Sequence, residues 1–331
     1  MTGPRVLSRS GAGAVRIGTR YAVTPTGEPV RPRPPTERDV RGPRGSLDRA
    51  VAAGSVHRVT AAPVLPSPGS ALPPHVRSAF GVAEVEPRPV VWAGRRAWRC
   101  GELLLRPVPD KVVAAWSAGV LDGLKVDGLR IAQPVRSSDG RWVVGGWAAN
   151  RFIAGTVEPR YDAVLTAAVR LHEALSGIER PRLLDGRDDL AARSAAAAFG
   201  ERRATLDADT GGTLFTQLAA YRAPVQLTPQ LVHPELFGSV LFDDRGVPAL
   251  IELVPCWRPA QWAAAVVVVD AIAWGGGDQG LLQRWADSEA WPQSLLRAVL
   301  FRLALHAQHP EASARTLEGL ERAAGLVSAL L

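Results

Sequence analysis

The sequence has little of the chemistry that holds disulfide frameworks or metal sites. It contains two cysteines, Cys100 and Cys256, among 331 residues. Two cysteines cannot form a disulfide framework, and no paired Cys or Cys/His spacing indicates a metal site. This cysteine usage is typical of a reducing compartment, so we expect a cytoplasmic protein.

Long hydrophobic runs are also missing. The longest apolar stretch covers residues 262–274 and is interrupted by Asp270, whereas a bilayer span needs about 20 apolar residues. We interpret the stretch as a core helix and expect no membrane association. The N-terminal arginines are not followed by an apolar stretch, so neither a secretory signal nor a twin-arginine export signal is predicted.

Positive charge is present in excess, but it is confined to one end of the chain. Residues 1–58 contain eleven arginines and four acidic residues, an excess of seven that equals the net charge of +7 of the whole chain. Residues 1–70 are rich in Pro, Gly, Arg and Ser, with too little apolar surface to offset the entropy of ordering. We predict a disordered basic tail over 1–70 that is a solvated extension, and we expect no nucleic-acid binding except through that tail.

Residues 73–155 have the pattern of a small lobe built on a sheet. A short helix is predicted to end at Gly81, and three apolar stretches separated by short turns follow it. "DKVVAAWSAGVLDGL" has an acid at its start and apolar residues at helical spacing, which predicts an amphipathic helix. Two further strands precede Gly155. The pattern predicts a five-stranded antiparallel sheet with one helix.

Residues 156–331 are mostly helical by the same criteria. "RYDAVLTAAVRLHEALSG" predicts a helix with one apolar face that ends at Gly177. "VPALIEL" predicts a strand. With 47% hydrophobic residues, the chain can bury cores for about two lobes. Further helices are predicted near 187–204, 213–222, 260–274, 278–286, 291–308 and 312–330.

The segment 231–253, which begins "LVHPELFGSVLFDD", resembles the catalytic core of the aminoglycoside/choline phosphotransferase family in the protein-kinase-like superfamily. The resemblance is nearest to an uncharacterised actinobacterial family that carries His-Gly-Asp-Leu-x-Gly-Asn-Val-Leu-Phe and, later, "PYWRP". It covers about residues 73–310, and the histidine, leucine, glycine and Val-Leu-Phe fall at matching steps. It implies an α+β, two-lobed, protein-kinase-like fold, with a sheet lobe at 73–155 and a helical lobe at 156–331.

The resemblance also implies ATP and Mg²⁺ as cofactors and assigns a role to four residues. Glu235 corresponds to the base for the acceptor hydroxyl, Ser239 to an asparagine that holds a metal ion, and Glu252 to a second metal-binding aspartate. Arg106 corresponds to the lysine of the third strand. All four residues depart from the family pattern.

Each departure has a physical consequence. Glu235 keeps a carboxylate but moves it by roughly an ångström, which is enough to lower a rate about a hundredfold. Ser239 has a shorter side chain than asparagine and is a poorer neutral ligand. Arg106 keeps the charge but presents a planar fork where the family has a point charge.

The loop that would cover the phosphates is also altered. "WAGRRAW" has one glycine, Gly94, where close backbone approach to phosphates favours several. Arg95 and Arg96 are candidates for holding phosphate. The small-lobe helix has no acid in its middle turns to pair with Arg106. By contrast, three residues that support the loop in relatives persist, and we expect structural roles for His172, His233 and Asp270.

Three hypotheses follow. The first is a kinase-like protein with an eroded phosphotransfer site, either a pseudokinase-type binding or scaffolding protein or a weakly active enzyme. The second is an ATP/Mg-dependent phosphotransferase for a small-molecule hydroxyl, with Glu235 as base and Glu252 as metal ligand. The third is a repurposed cleft. The sequence leaves the enzyme question open and names neither the acceptor nor a small-molecule or protein partner.

Overall fold

The computed structural model describes residues 71–92, 95–286, 288–310 and 312–331. The predicted tail over 1–70 lies outside these residues. The helices are α1 (Pro74–Ala79), α2 (Lys111–Leu121), α3 (Tyr161–Leu175), α4 (Leu190–Phe199), α5 (Gly212–Ala219), α6 (Ala260–Trp274), α7 (Leu281–Arg284), α8 (Trp291–Ala307) and α9 (Ala314–Ser328). The strands are β1 (Arg88–Trp92), β2 (Arg95–Cys100), β3 (Leu103–Pro107), β4 (Arg130–Ile131), β5 (Pro134–Val135), β6 (Val143–Val144), β7 (Trp147–Arg151), β8 (Pro229–Val232), β9 (Val240–Phe242), β10 (Pro248–Leu250) and β11 (Cys256–Pro259).

The small lobe is built on an antiparallel sheet. Its strands lie in the order β1-β2-β3-β7-β5, and the short strand β6 also pairs with β7. The predicted last strand is divided at Gly145 and Gly146, whose φ angles of 59° and 83° favour glycine. A Cβ at Gly145 would lie 2.8 Å from Nε2 of His75. The turn therefore needs glycine both for its backbone and for its space.

Helix α2 begins where its sequence predicts. The Asp110 carboxylate accepts hydrogen bonds from the backbone N–H groups of Val112 and Val113 at 2.8 and 3.0 Å. This cap satisfies two of the donors that every helix N-terminus leaves without an intrahelical partner. Ser117 and Leu121 are buried on the face of α2 that turns toward the rest of the protein. The predicted amphipathic helix is confirmed.

The large lobe is organised around α6. Residues Trp262 to Ala273 are all buried, which is expected of a helix that is apolar on every side. Helices α3, α8 and α9 pack around it. The prediction of a core helix at this apolar stretch is confirmed.

A parallel strand pairing that the sequence did not predict joins the two lobes. Strand β4, from the small-lobe segment of the chain, pairs parallel with β10 of the large lobe, with Ile131 opposite Leu250. The N–H of Ala132 continues the ladder by donating to the Leu250 carbonyl at 2.8 Å. Since parallel partners are distant in sequence, the local pattern around Ile131 indicated only a small-lobe strand.

The two-lobed α+β fold expected from the sequence is confirmed by this arrangement of one antiparallel sheet followed by a helical lobe. The change from sheet to helices falls between Arg151 and Tyr161. Across the described ranges, the structure contains no helix with the length and apolarity needed to cross a bilayer.

Candidate functional site

Two histidine side chains, those of His172 and His233, accept hydrogen bonds from the backbone of the loop at 233–239. The backbone N–H of His233 donates to Nε2 of His172 at 3.1 Å, and the N–H of Glu235 donates to Nδ1 of His233 at 3.2 Å. Burial lowers the pKa of His172 to about 4, so its ring is neutral and Nε2 can accept a hydrogen bond. The expected structural roles of His172 and His233 are confirmed.

A buried ion pair lies deeper in the same lobe. Nε of Arg302 donates to Oδ1 of Asp270 at 2.6 Å, and both side chains are only 4% exposed. Burial raises the pKa of Asp270 to about 6 although Arg302 opposes the change, and the charge of Glu235 raises it further. Asp270 is thus a buried structural group, as expected, and its hydrogen-bond partner is the α8 arginine.

Three of the predicted site residues lie together at the loop. The hydroxyl of Ser239 donates to the backbone carbonyl of Glu235 at 2.9 Å, and it lies 3.5 Å from Oε1 of Glu252. Ser239 is 0% exposed, Glu235 5% and Glu252 7%. The turn after β8 and the end of β10 therefore bring two carboxylates and one enclosed hydroxyl into one small region.

A cavity of about 320 Å³ lies between the lobes above this region. The small lobe lines it with Arg106 and with the inner face of α2, and the large lobe lines it with Glu235, Glu252 and residues 253–255. Arg106, Glu235 and Glu252 consequently share one cavity, although they are far apart in the sequence. Ser239 lies behind its wall.

The remaining predicted phosphate-binding residues are not part of this cavity as far as the structure describes them. Gly94 lies outside the described residues, and so does the side chain of Arg95. Arg96 is exposed, pairs with Val91 in the β1–β2 ladder, and does not line the cavity.

Two features at the cleft were missed by sequence reasoning. At the mouth of the cavity, Nε of Arg187 donates to the Asp189 carboxylate at 2.6 Å and Nη1 donates to the Pro255 carbonyl at 2.9 Å. On the other side, Trp92 is 7% exposed and belongs to a buried apolar cluster with Leu241 and other residues of both lobes. No local pattern signals the contact of Arg187 with Pro255 or the cluster around Trp92, because those partners are distant in sequence.

The oxygen atoms of the side chains at the loop determine whether it could hold a metal ion. Magnesium prefers six oxygen ligands in near-octahedral geometry. In the part of the chain that the structure describes, no group of three or more His, Cys, Asp or Glu side chains could hold a metal ion. The cluster offers two carboxylates, the number that commonly holds a magnesium ion together with substrate phosphates and water, and one enclosed hydroxyl that donates to a backbone carbonyl.

Comparisons with known proteins yield structural likenesses only. No protein-family model and no curated protein matches this sequence. A microcompartment-associated aminopropanol kinase is similar with a TM-score of 0.47 and 15% identity, over 77% of this chain and 94% of that one. A choline/ethanolamine kinase family protein from Mesorhizobium loti is similar with a TM-score of 0.44 and 18% identity, over 76% and 96%.

A thermostable mutant of aminoglycoside phosphotransferase APH(4)-Ia, solved with ADP and hygromycin B, is similar with a TM-score of 0.45 and 14% identity. That match covers 77% of this chain and 96% of the other. At this level, the three likenesses concern fold alone.

Proposed function

We propose that this chain is a kinase-like binding protein whose inter-lobe cleft no longer supports ordinary magnesium-dependent phosphotransfer. The observation that carries the proposal is the state of Ser239. Its hydroxyl is fully enclosed and donates to the Glu235 carbonyl at 2.9 Å. A side chain in that position holds the loop together and presents no surface to a metal ion in the cavity.

The side of the cleft that lies under β1, β2 and β3 supports the same proposal. Under β1, β2 and β3, apolar side chains of both lobes form one buried cluster, and Trp92 is the largest of them. A nucleotide base that entered from that side would have to displace Trp92. The cleft is hollow on the α2 side, where the 320 Å³ cavity lies.

An alternative function is favoured by one specific arrangement. Arg106, Glu235 and Glu252 line the same cavity, and these are the residues that the sequence resemblance assigns to the phosphates, the acceptor base and a metal ion. An ATP/Mg-dependent phosphotransferase acting on a small-molecule hydroxyl would use them in those roles. Its metal site would then need ligands beyond the two carboxylates.

Nucleotide titration read by thermal unfolding separates the two functions. We expect no magnesium-dependent rise in unfolding temperature at millimolar ATP, because the enclosed Ser239 leaves the metal site incomplete. Magnesium-dependent stabilisation that Glu252→Ala abolishes would support the enzyme instead. Glu318→Ala, which removes an exposed carboxylate on α9, is the matched control.

Replacing Glu235 and Ser239 by the residues of the resembled family tests whether these two positions account for the proposed loss of phosphotransfer. Glu235→Asp combined with Ser239→Asn should gain ATP turnover if these two changes are what eroded the site. Turnover by the unsubstituted protein would contradict the proposal directly.

Outside the cleft, we propose that any affinity for nucleic acid or another acidic partner depends on the basic tail. Deleting residues 1–58 removes the entire excess of positive charge, so binding should be lost and its salt dependence should disappear with it. Affinity that is unchanged by the deletion would remove this role. A cytoplasmic location remains our expectation from the cysteine usage.

A further inference from the structure

We propose that the cavity beside α2 binds a small, mostly apolar molecule that carries one hydrogen-bonding oxygen and no negative charge, with Ser117 as its hydrogen-bond donor. The inference rests on the proposed function in that it uses the same cleft. It adds the chemical class of the ligand and the residue that recognises it.

The shape and lining of the cavity indicate an apolar body. Ala114, Ala118 and Leu121 recur four and three positions apart, and Val113 lies beside Ala114, so one face of α2 forms a wall of the cavity. The small side chains of Ala114 and Ala118 leave space beside this wall. A volume of about 320 Å³ falls at the lower end of ordinary small-molecule pockets, which span about 300 to 1,000 Å³.

Ser117 supplies the polar recognition element. It lies on the same wall and is 5% exposed, and among the described residues its hydroxyl has no hydrogen-bond partner. Serine and threonine in helices commonly donate to the carbonyl four residues earlier, as Thr166 and Ser328 do here at 2.8 Å. A buried hydroxyl that does not do so is unfavourable unless something else accepts its proton. The hydroxyl oxygen is enclosed in the unliganded protein, so an oxygen of a bound molecule would satisfy it after the Ser117 side chain rotates toward the cavity that this residue lines.

The charges around the cavity argue against an anionic ligand. Asp110 and Asp189 line it but are engaged by the N-terminal N–H groups of α2 and α4. The Glu235 and Glu252 carboxylates form part of the floor. Acidic lining residues outnumber the two arginines, so a further negative charge would meet net repulsion.

Isothermal titration of the full chain with 2-naphthol tests the proposal. We expect saturable binding that Ala118→Phe weakens at least about tenfold, because the larger side chain fills space the ligand needs. Val112→Phe is the matched control on the opposite face of α2, where Val112 is 68% exposed, and it should leave the affinity unchanged. Failure of 2-naphthol to bind, or equal losses in both variants, would overturn the proposal.

Ser117→Ala provides a second variant that should fold well. Alanine is the better helix former and removes an unsatisfied hydroxyl, so the unfolding temperature should be unchanged or higher. Binding of 2-naphthol should weaken by about five- to tenfold for the loss of one hydrogen bond, and naphthalene should bind both proteins equally. An equal loss for both probes would show that Ser117 is not the donor. Tighter binding of naphthalene-2-carboxylate than of 2-naphthol would overturn the exclusion of anions.

The two proposals fail in different experiments. Magnesium-dependent ATP turnover by the unsubstituted protein would refute the loss of phosphotransfer and leave the naphthol result standing. Absence of naphthol binding, with no response to magnesium and ATP, would refute the apolar ligand and leave the first proposal intact.

Discussion

The loop at 233–239 separates two regions that differ in how their polar groups are used. Below it, in the interior of the large lobe, His172 accepts a backbone N–H and Asp270 pairs with Arg302. Above it, the hydroxyl of Ser239 turns back to a backbone carbonyl behind the cavity wall, and the opposite wall of the cavity is a largely apolar helix face. The lower region keeps its hydrogen bonds, and the upper region is where the sequence departs from the family that it resembles.

The hydrogen bonds that support the loop at 233–239 are therefore independent of the side chains that would carry out chemistry there. The histidines bind backbone N–H groups, those of His233 and Glu235. Since every residue except proline has such a group, the side chain at position 235 can change without loss of that support. Metal binding, by contrast, depends on how far a ligating side chain reaches into the cleft, and the Ser239 side chain is short and 0% exposed.

The largest loss of stability should come from removing the buried ion pair of the lower region. Asp270→Ala leaves the Arg302 guanidinium buried without its carboxylate, since both side chains are 4% exposed. We expect the free energy of unfolding to fall by about 3–5 kcal/mol, measured by urea denaturation. Asp278→Ala is the control, because that carboxylate is 71% exposed in its contact with Arg284 and should change stability by less than about 1 kcal/mol. Similar losses in the two variants would contradict the assigned importance of the buried pair.

A somewhat smaller effect is expected from the apolar contact that closes one side of the upper region. Trp92→Ala removes the largest side chain of the cluster between the lobes, and should lower the free energy of unfolding by about 3 kcal/mol. Trp142→Ala is the matched change on the hollow side, where the ring is partly exposed and stacks with Arg136 at 3.8 Å. That change should cost about 1 kcal/mol. Equal losses would mean that the two sides of the cleft are packed alike.

The pH dependence of stability should reveal the neutral histidine of the lower region. The pKa of His172 is about 4 in the folded protein against 6.5 for an unperturbed histidine, so the unfolded chain binds more protons between these values and stability falls as pH falls. Asp270, whose pKa is raised to about 6, acts in the opposite direction. In His172→Gln only the Asp270 contribution remains, while the amide oxygen can still accept the His233 N–H.

From pH 7 to pH 5, we expect the variant to retain about 2 kcal/mol more of its stability than the unsubstituted protein. Chemical denaturation at the two pH values measures this difference. Parallel pH profiles for the two proteins would show that His172 is not the group responsible.

The smallest loss of stability should come from removing the Ser239 hydroxyl. Ser239→Ala removes one hydrogen bond to the Glu235 carbonyl, and should lower the free energy of unfolding by about 1 kcal/mol. Ligand binding in the cavity should not change, because Ser239 does not line it. A Ser239→Ala variant that loses ligand affinity without losing stability would place this hydroxyl in the cleft instead.

Local patterns in the sequence predicted most of the elements. The apolar run before the glycine cluster predicted α6 at its observed limits, and the acid before "KVV" predicted the start of α2. These features depend on the spacing of side chains within a few turns and on capping by a neighbour, so they are written in consecutive residues. The register of "LVHPELFGSVLF" similarly indicated which residues would surround the loop.

The features that determine which ligands the cleft can bind could not be predicted from local sequence patterns. Trp92 and Leu241 meet across the lobes, β4 pairs with β10, and Ser117 faces a cavity instead of the carbonyl of the preceding turn. Each depends on groups that are distant in sequence and brought together only by packing. The sequence by itself determined the order of the elements, the support of the loop and the side chains at the positions where it departs from the family that it resembles. Only the tertiary structure decided that Ser239 is enclosed and where the lobes leave space, because enclosure depends on every neighbour in three dimensions.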